Sequence, residues 1–389
     1  MTTTTFLDLQ NGFYNALSQG LGFSSSTPFQ MVQPSPPLAA STTQNPLLWD
    51  YFNSIPPDSL THSYVPGGGA QFAANYAAML SALISPTSTF AADVGADCNA
   101  RWLAHLNGLT PTPSLGQWPG LFREWAMMNG FEDVANKGST DLSDDLLDPI
   151  AAAGMAMSSY AGKPYDWDAG YNDLVQQLAA APSRAFTISS SSMNSDVTSN
   201  WANNDSDGFF GLWGGSDSSS SESSTFAESD VTVTANFDHV TQFAPVPGTW
   251  YNSAAMALAF ENQTGAPWKD PNAAINWGTT FGPGGDLQRF AVNLIVVTGM
   301  TISVTSNASF STEQQSNINN NSGAGMWPFY DSDGSSGSAS KVHFGQDGSM
   351  TVTIASTSAN PIVIGVIVEP IAQFAGPGMR DSYTLPQAA

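Results

Sequence analysis

Basic residues and cysteine are what this chain has least of. Of 389 residues only 9 are Lys or Arg, against 32 Asp or Glu, and only 11% carry any charge. The resulting net charge of -23 repels nucleic-acid phosphates and anionic lipid headgroups, so nucleic acid is not expected as a partner; divalent cations and neutral surfaces are easier ones. Cys98 stands alone, so no intrachain disulfide staples the fold. No apolar run approaches the roughly 18 to 20 residues of a membrane helix; the best, Pro361 to Val368, has the length of a buried strand. The opening Met1-Thr2-Thr3-Thr4-Thr5-Phe6 lacks the basic and apolar regions of a signal peptide. The expectation is a soluble cytoplasmic protein, with non-classical export as the alternative.

What the chain does have is a pattern that occurs twice. Phe186-Thr187-Ile188-Ser189 is followed by the apolar cluster Phe209, Phe210, Leu212 and Trp213, a serine tract, and Val231-Thr232-Val233-Thr234. Met300-Thr301-Ile302-Ser303 is followed by Met326, Trp327, Phe329 and Tyr330, a Ser/Gly tract, and Met350-Thr351-Val352-Thr353. Thr187 and Thr301 stand 114 residues apart, as do Trp213 and Trp327, while Val231 and Met350 stand 119 apart. A rare Trp held in register with flanking strand patterns argues for duplication of one β unit. Asp205-Ser206-Asp207-Gly208 precedes the first aromatic cluster, whereas Asp331-Ser332-Asp333-Gly334 follows the second, so this acidic element is not a strict part of the repeat.

Ahead of the repeats the texture is helical. Phe6, Leu9, Phe13 and Leu17 recur at helical spacing, as do Phe72, Tyr76, Met79, Leu80 and Leu83, and then Leu121, Phe122, Trp125 and Met128. Residues 23–46, rich in Ser, Thr and Pro, read as a linker or surface loop. Gly67-Gly68-Gly69 could cradle a phosphate, but no Lys or Arg precedes Arg101, so it reads as the approach to a helix. Beyond Pro182 the pattern turns to strands. Ile302 and Val304, with Met350, Val352 and Ile354, alternate as half-buried strands do, and Ile362 to Val368 is β-branched except at Gly365, as in a strand covered on both faces. The predicted fold is therefore α+β: an N-terminal helical region (1–182) followed by a duplicated, mainly antiparallel β region of two packed units, one in 183–260 and the second, after a connecting segment, in 261–389.

The series Trp250-Tyr251, Gly284-Gly285-Asp286-Leu287, Leu294-Ile295-Val296-Val297, Trp327-Pro328-Phe329 and Pro361-Ile362-Val363-Ile364-Gly365 resembles a family of uncharacterised bacterial and fungal proteins with a serine-rich, Trp-containing duplicated β region. The resemblance covers roughly the second half and supports the duplication. It implies no chemistry.

Two stretches suggest ligands. Asn203, Asp205 and Asp207, with Gly208, resemble the first half of a calcium loop, although Gly214 stands where the closing Glu belongs; Ca2+ is the one cofactor the sequence suggests. Asp144-Asp145-Leu146-Leu147-Asp148 spells an aspartate-rich magnesium motif. Pro149 follows at once, however, which makes Asp148 the cap of a new helix. The histidines His62, His105, His239 and His343 form no pair at metal spacing, and no Gly-x-Ser-x-Gly elbow accompanies them, so His239 is expected to have a structural or surface role. The two aromatic clusters would contact a partner or a membrane interface if exposed, or fill the core of each β unit if buried.

Sparse charge, abundant aromatics and the lack of a catalytic constellation favour a non-enzymatic assembly or interaction protein, a homo-oligomer associating through the duplicated β region. The alternatives are a membrane-active protein, pore-forming or peripheral, that inserts the aromatic tips, and an enzyme with an acidic metal site at Asp144, Asp145 and Asp148.

Overall fold

The computed structural model describes residues 16–23, 27–32, 38, 45–57, 64, 66–67, 71–85, 89–111, 113–189, 225, 229–321, 338–356 and 360–374. The fold is α+β, with helices concentrated in the N-terminal half and two antiparallel sheets in the C-terminal half. None of its described helices is long and apolar enough to cross a membrane.

The centre is a four-stranded sheet formed by β1 (Phe29–Met31), β4 (His239–Phe243), β5 (Arg289–Thr298) and β9 (Ile362–Pro370), in the order β1-β9-β5-β4. Its two middle strands are β-branched and apolar over most of their length because both faces are covered. On one face Leu294, Val296, Val366 and Val368 meet helices α1 (Asn45–Asn53), α2 (Phe72–Ser81) and α8 (Tyr171–Ala179) through Leu48, Tyr76 and Leu174. On the other, Ile295, Val297, Ile364 and Ile367 pack against Val233, Ile302, Val352 and Ile354 of the second sheet. The molecule thus has three layers: helices, a buried sheet and an outer sheet. Helices α3 (Phe90–Val94), α4 (Ala96–Gly108), α5 (Trp118–Met128) and α6 (Glu132–Asp145) enclose a further aromatic core in which Trp102 stands edge-on to Trp118 and Phe122.

The outer sheet contains β2 (Arg184–Ser189), β3 (Val231–Phe237), β6 (Thr301–Ser306), β7 (Ser338–Phe344) and β8 (Met350–Ser356), in the order β2-β3-β6-β8-β7. Here the sequence expectation needs correcting. The copies are not two units packed on each other: β2-β3 and β6-β8 lie side by side in one sheet, joined where β3 pairs with β6. Neither are they superposable strand for strand. Ile188 pairs with Val233, but their counterparts Ile302 and Val352 do not pair, because Ile302 lies opposite Ile354. The slip is two residues, and an even slip leaves every side chain on its original face.

Two crossings tie the sheets together. The chain passes from β3 to β4 at Asp238 and from β5 to β6 at Gly299-Met300, and Asp238 donates its N–H to the Thr298 carbonyl at 3.0 Å. Gly299 has φ +61, and a Cβ there would fall 1.9 Å from the Asp238 carboxylate, so both conformation and space require glycine.

The stretch read as a linker over residues 23–46 holds a strand instead. All three residues of β1 are buried, and the ring of Phe29 lies where a Cβ on Gly365 would stand, 2.1 Å away. That explains the one glycine in an otherwise β-branched run. The strand was hidden because it is only three residues long and sits among Ser and Pro.

Within the helical layer, α7 (Pro149–Ser159) starts as its sequence predicts. Asp148 caps it, its Oδ1 accepting the N–H groups of Ile150 at 2.8 Å and Ala151 at 3.4 Å. Four further helices follow: α9 (Ser253–Glu261), α10 (Trp277–Phe281), α11 (Thr312–Asn321) and, after β9, the short α12 (Ile371–Phe374).

Candidate functional site

Alternation along the outer sheet sorts its residues by chemistry. Val231, Val233, Ala235 and Phe237 of β3, Ile302 and Val304 of β6, and Met350, Val352 and Ile354 of β8 face the buried sheet. The intervening positions of these three strands face away, and apart from Asn236 and Ala355 they are Thr or Ser.

Pairing arranges these hydroxyls in ranks across the strands. One rank runs Thr187, Thr234, Ser303, Thr353 and ends beside Lys341 of β7; the next runs Ser189, Thr232, Thr305, Thr351 and ends beside His343. Strands stand about 4.8 Å apart and alternate residues roughly 6.8 Å apart along a strand, so the ranks form a regular grid. Hydroxyl pairs bridge the strands: Thr187 with Thr234 at 3.2 Å, Ser303 with Thr353 at 3.1 Å and Thr305 with Thr351 at 3.0 Å. A hydroxyl has one donor and two acceptor sites, so each bridged member keeps hydrogen-bonding capacity directed away from the sheet.

The electrostatics of this face differ from those of the whole protein. No Asp or Glu occupies an outward position of the described strands of the outer sheet, and the basic side chains at its margin are Lys341 and His343 of β7. On a chain with net charge -23 it is a neutral to weakly positive area.

The other sequence-predicted sites fare variously. Phe209, Phe210, Leu212 and Trp213, and Met326, Trp327, Phe329 and Tyr330, lie outside the described residues, as do Asn203, Asp205 and Asp207. The first of these segments is bounded by β2 and β3, which end and begin together at Ser189 and Thr232; the second is bounded by α11 and β7. The acidic cluster does not converge. Asp144 is exposed, Asp145 is 2% exposed, and Asp148 caps α7 while its Oδ2 accepts the Ser85 hydroxyl at 2.9 Å. Nearby, Lys137 bridges Asp93 at 2.7 Å and Asp141 at 3.4 Å, and its hydrogen bond holds the Asp93 carboxyl below the usual range. Among the described residues no group of three or more His, Cys, Asp or Glu side chains is placed to hold a metal ion. The Nδ1 of His239 lies 2.7 Å from the Ala181 carbonyl, where β4 meets the end of the helical region.

Sequence reasoning missed the hydroxyl grid. Its signal is present in the alternation of Thr232 with Thr234, of Thr301, Ser303 and Thr305, and of Thr351 with Thr353, but the order of strands that aligns them is a long-range property. No family model matches the chain, and no curated protein or solved structure is similar enough to it to count as a match.

Proposed function

We propose that this is a non-enzymatic assembly protein whose copies associate through the outward face of the five-stranded sheet. The observation that carries the reading is the absence of carboxylates from the outward strand positions of that face on a strongly acidic chain. Two copies approaching elsewhere bring like charges together, which costs free energy unless salt screens them. Approach face to face sets hydroxyls and Thr methyls against their own kind, and a two-fold axis lets each copy use the same patch.

Edge-to-edge pairing through β7 is the weaker route. Among the described residues β7 pairs only with β8, yet it carries Lys341, and charged side chains on an edge strand discourage sheet extension.

The size of the face sets the strength. Five strands about 4.8 Å apart and some six residues long cover on the order of 400 Å² per copy. That is roughly half of what a standard stable interface buries per partner, so the association is reversible and concentration-dependent.

Sedimentation velocity over a wide concentration range tests this. The expected result is a monomer–dimer equilibrium that strengthens as salt is raised from low ionic strength, and that Thr234→Asp or Ser303→Asp abolishes by placing carboxylates opposite each other. A monomer at every concentration, or association unaltered by both substitutions, would overturn the reading.

A further inference from the structure

The chain holds a cavity with a chemistry unrelated to the outer sheet. β4 pairs with β5 from His239 opposite Thr298 to Phe243 opposite Leu294, and there the ladder stops. Next in sequence come Ala244-Pro245-Val246-Pro247, and a proline has no N–H to give a ladder. Val246 bonds elsewhere: its N–H goes to the Asp168 carboxylate at 2.8 Å and its carbonyl accepts the Asp168 N–H at 3.0 Å. The strand therefore parts from β5 at Val292 and Asn293, where β5 also bulges against β9. Bulges of this kind commonly accompany functional sites.

The parting leaves a cavity of about 260 Å³. Its aromatic walls are Phe52, Phe72, Trp167, Phe290 and Phe374, with Phe290 and Phe374 stacked 4.0 Å apart and Phe72 edge-on to both. Glu369 is the one ionisable lining residue among the described residues. It lies opposite Phe290 across the β5–β9 ladder and so shares that ring's face. No Lys, Arg or His bridges it among the described residues, and burial raises its carboxyl above the ordinary range. Asn293, 3% exposed, also lines the cavity.

A half-buried carboxylate without a cation is costly, and ring faces attract positive charge. The protein's net charge of -23 adds a long-range preference of the same sign. We infer that this cavity is a binding site for a small organic cation, an amine or quaternary ammonium on a compact apolar body, with the charged head at Glu369 and the body between the rings. The volume, slightly below the roughly 300 Å³ at which drug-sized sites begin, limits the body to one ring or a short chain.

The test uses three probes of one shape and different charge: 2-phenylethylammonium, neutral 2-phenylethanol and anionic 3-phenylpropanoate, titrated calorimetrically into the full-length protein. The cation is expected to bind at least tenfold tighter than the alcohol, with the anion not binding. Glu369→Gln should lower the cation's affinity about tenfold and leave the alcohol's within twofold, with an unchanged near-ultraviolet circular dichroism spectrum. Ala244→Trp, at an exposed rim position, should block cation and alcohol alike while leaving Glu369 in place. A cation that binds no tighter than the alcohol, no binding of the cation at all, or a Glu369→Gln variant that binds it as the wild type does would each overturn the assignment.

Discussion

Asp148 offers a way to decide between two roles for the same carboxylate. Replacing it with alanine removes the acceptor of the Ile150 and Ala151 N–H groups and of the Ser85 hydroxyl, at 2.8, 3.4 and 2.9 Å. Loss of an N-cap costs about 1 kcal/mol. Loss of a hydrogen bond to a charged group costs a further ~1.5 kcal/mol. Because one side chain supplies both, the two are coupled, and we expect a total nearer 2 kcal/mol. Asparagine caps as well as aspartate does, so Asp148→Asn should cost no more than roughly 0.5 kcal/mol. A magnesium-binding role for the aspartate-rich motif ranks the variants differently, since asparagine removes the ligand's charge almost as alanine does. The assays are urea unfolding followed by circular dichroism, and amide exchange at Ile150 and Ala151, which reports the first turn of α7 even where the whole chain does not unfold in one step. The alanine variant should exchange faster at those two amides and the asparagine variant should not. Equal damage from both substitutions, or a wild-type stability that rises with magnesium only while Asp148 is present, would refute the capping account.

Three other outcomes follow from the packing. Gly365→Ala should destabilise the protein by about 1–3 kcal/mol, the cost of overpacking, because the new methyl meets the Phe29 ring; the urea midpoint should fall, and exchange should rise at Val32, whose N–H donates to the Ile364 carbonyl of β9 at 3.2 Å. Trp250→Phe should cost roughly 2–4 kcal/mol by equilibrium unfolding, since the indole is fully buried, donates to the Asp166 carbonyl at 2.8 Å and touches Phe72, Tyr165 and Trp167. The carboxyl of Glu369 is raised above 4.5 in the fold, so the folded state holds its proton more tightly than the unfolded chain does. Its contribution is present below that value and is lost as pH rises through the folded pKa. The urea midpoint of Glu369→Gln should therefore gain on the wild type as pH rises above 4.5, and a difference that is flat with pH would contradict the burial of this carboxyl.

Much of the fold could be read from local patterns. The β-branched run from Ile362 to Val368 announced a strand covered on both sides, and Ile302, Val304, Val352 and Ile354 announced strands with one wet face; both are as the structure has them. What stayed hidden depends on distant partners. β1 is three residues that acquire their meaning from Ile367, Val366 and Gly365. β4 follows β3 after the single residue Asp238, so its change of sheet leaves no gap in the pattern. The two-residue slip between the copies is likewise invisible to an alignment, which scores residue identity and not pairing. The hydroxyl ranks need the strand order β2-β3-β6-β8, and the aromatic cavity draws on residues from Phe52 to Phe374, so neither could be assembled from neighbours in sequence.

The ladder between β1 and β9 also bears on how the protein is made. Phe29 pairs with Ile367, so β1 waits for a strand translated 338 residues later. At about 5–20 residues per second, that wait lasts some tens of seconds on the ribosome. Over that interval the apolar surfaces of α1 and α2 lack the β5–β9 face they finally cover, while α3 to α6, whose core is drawn from their own neighbourhood, can already close. The order of synthesis thus lets the local helical core close before the long-range sheet can, and leaves α1 and α2 uncovered in the interval.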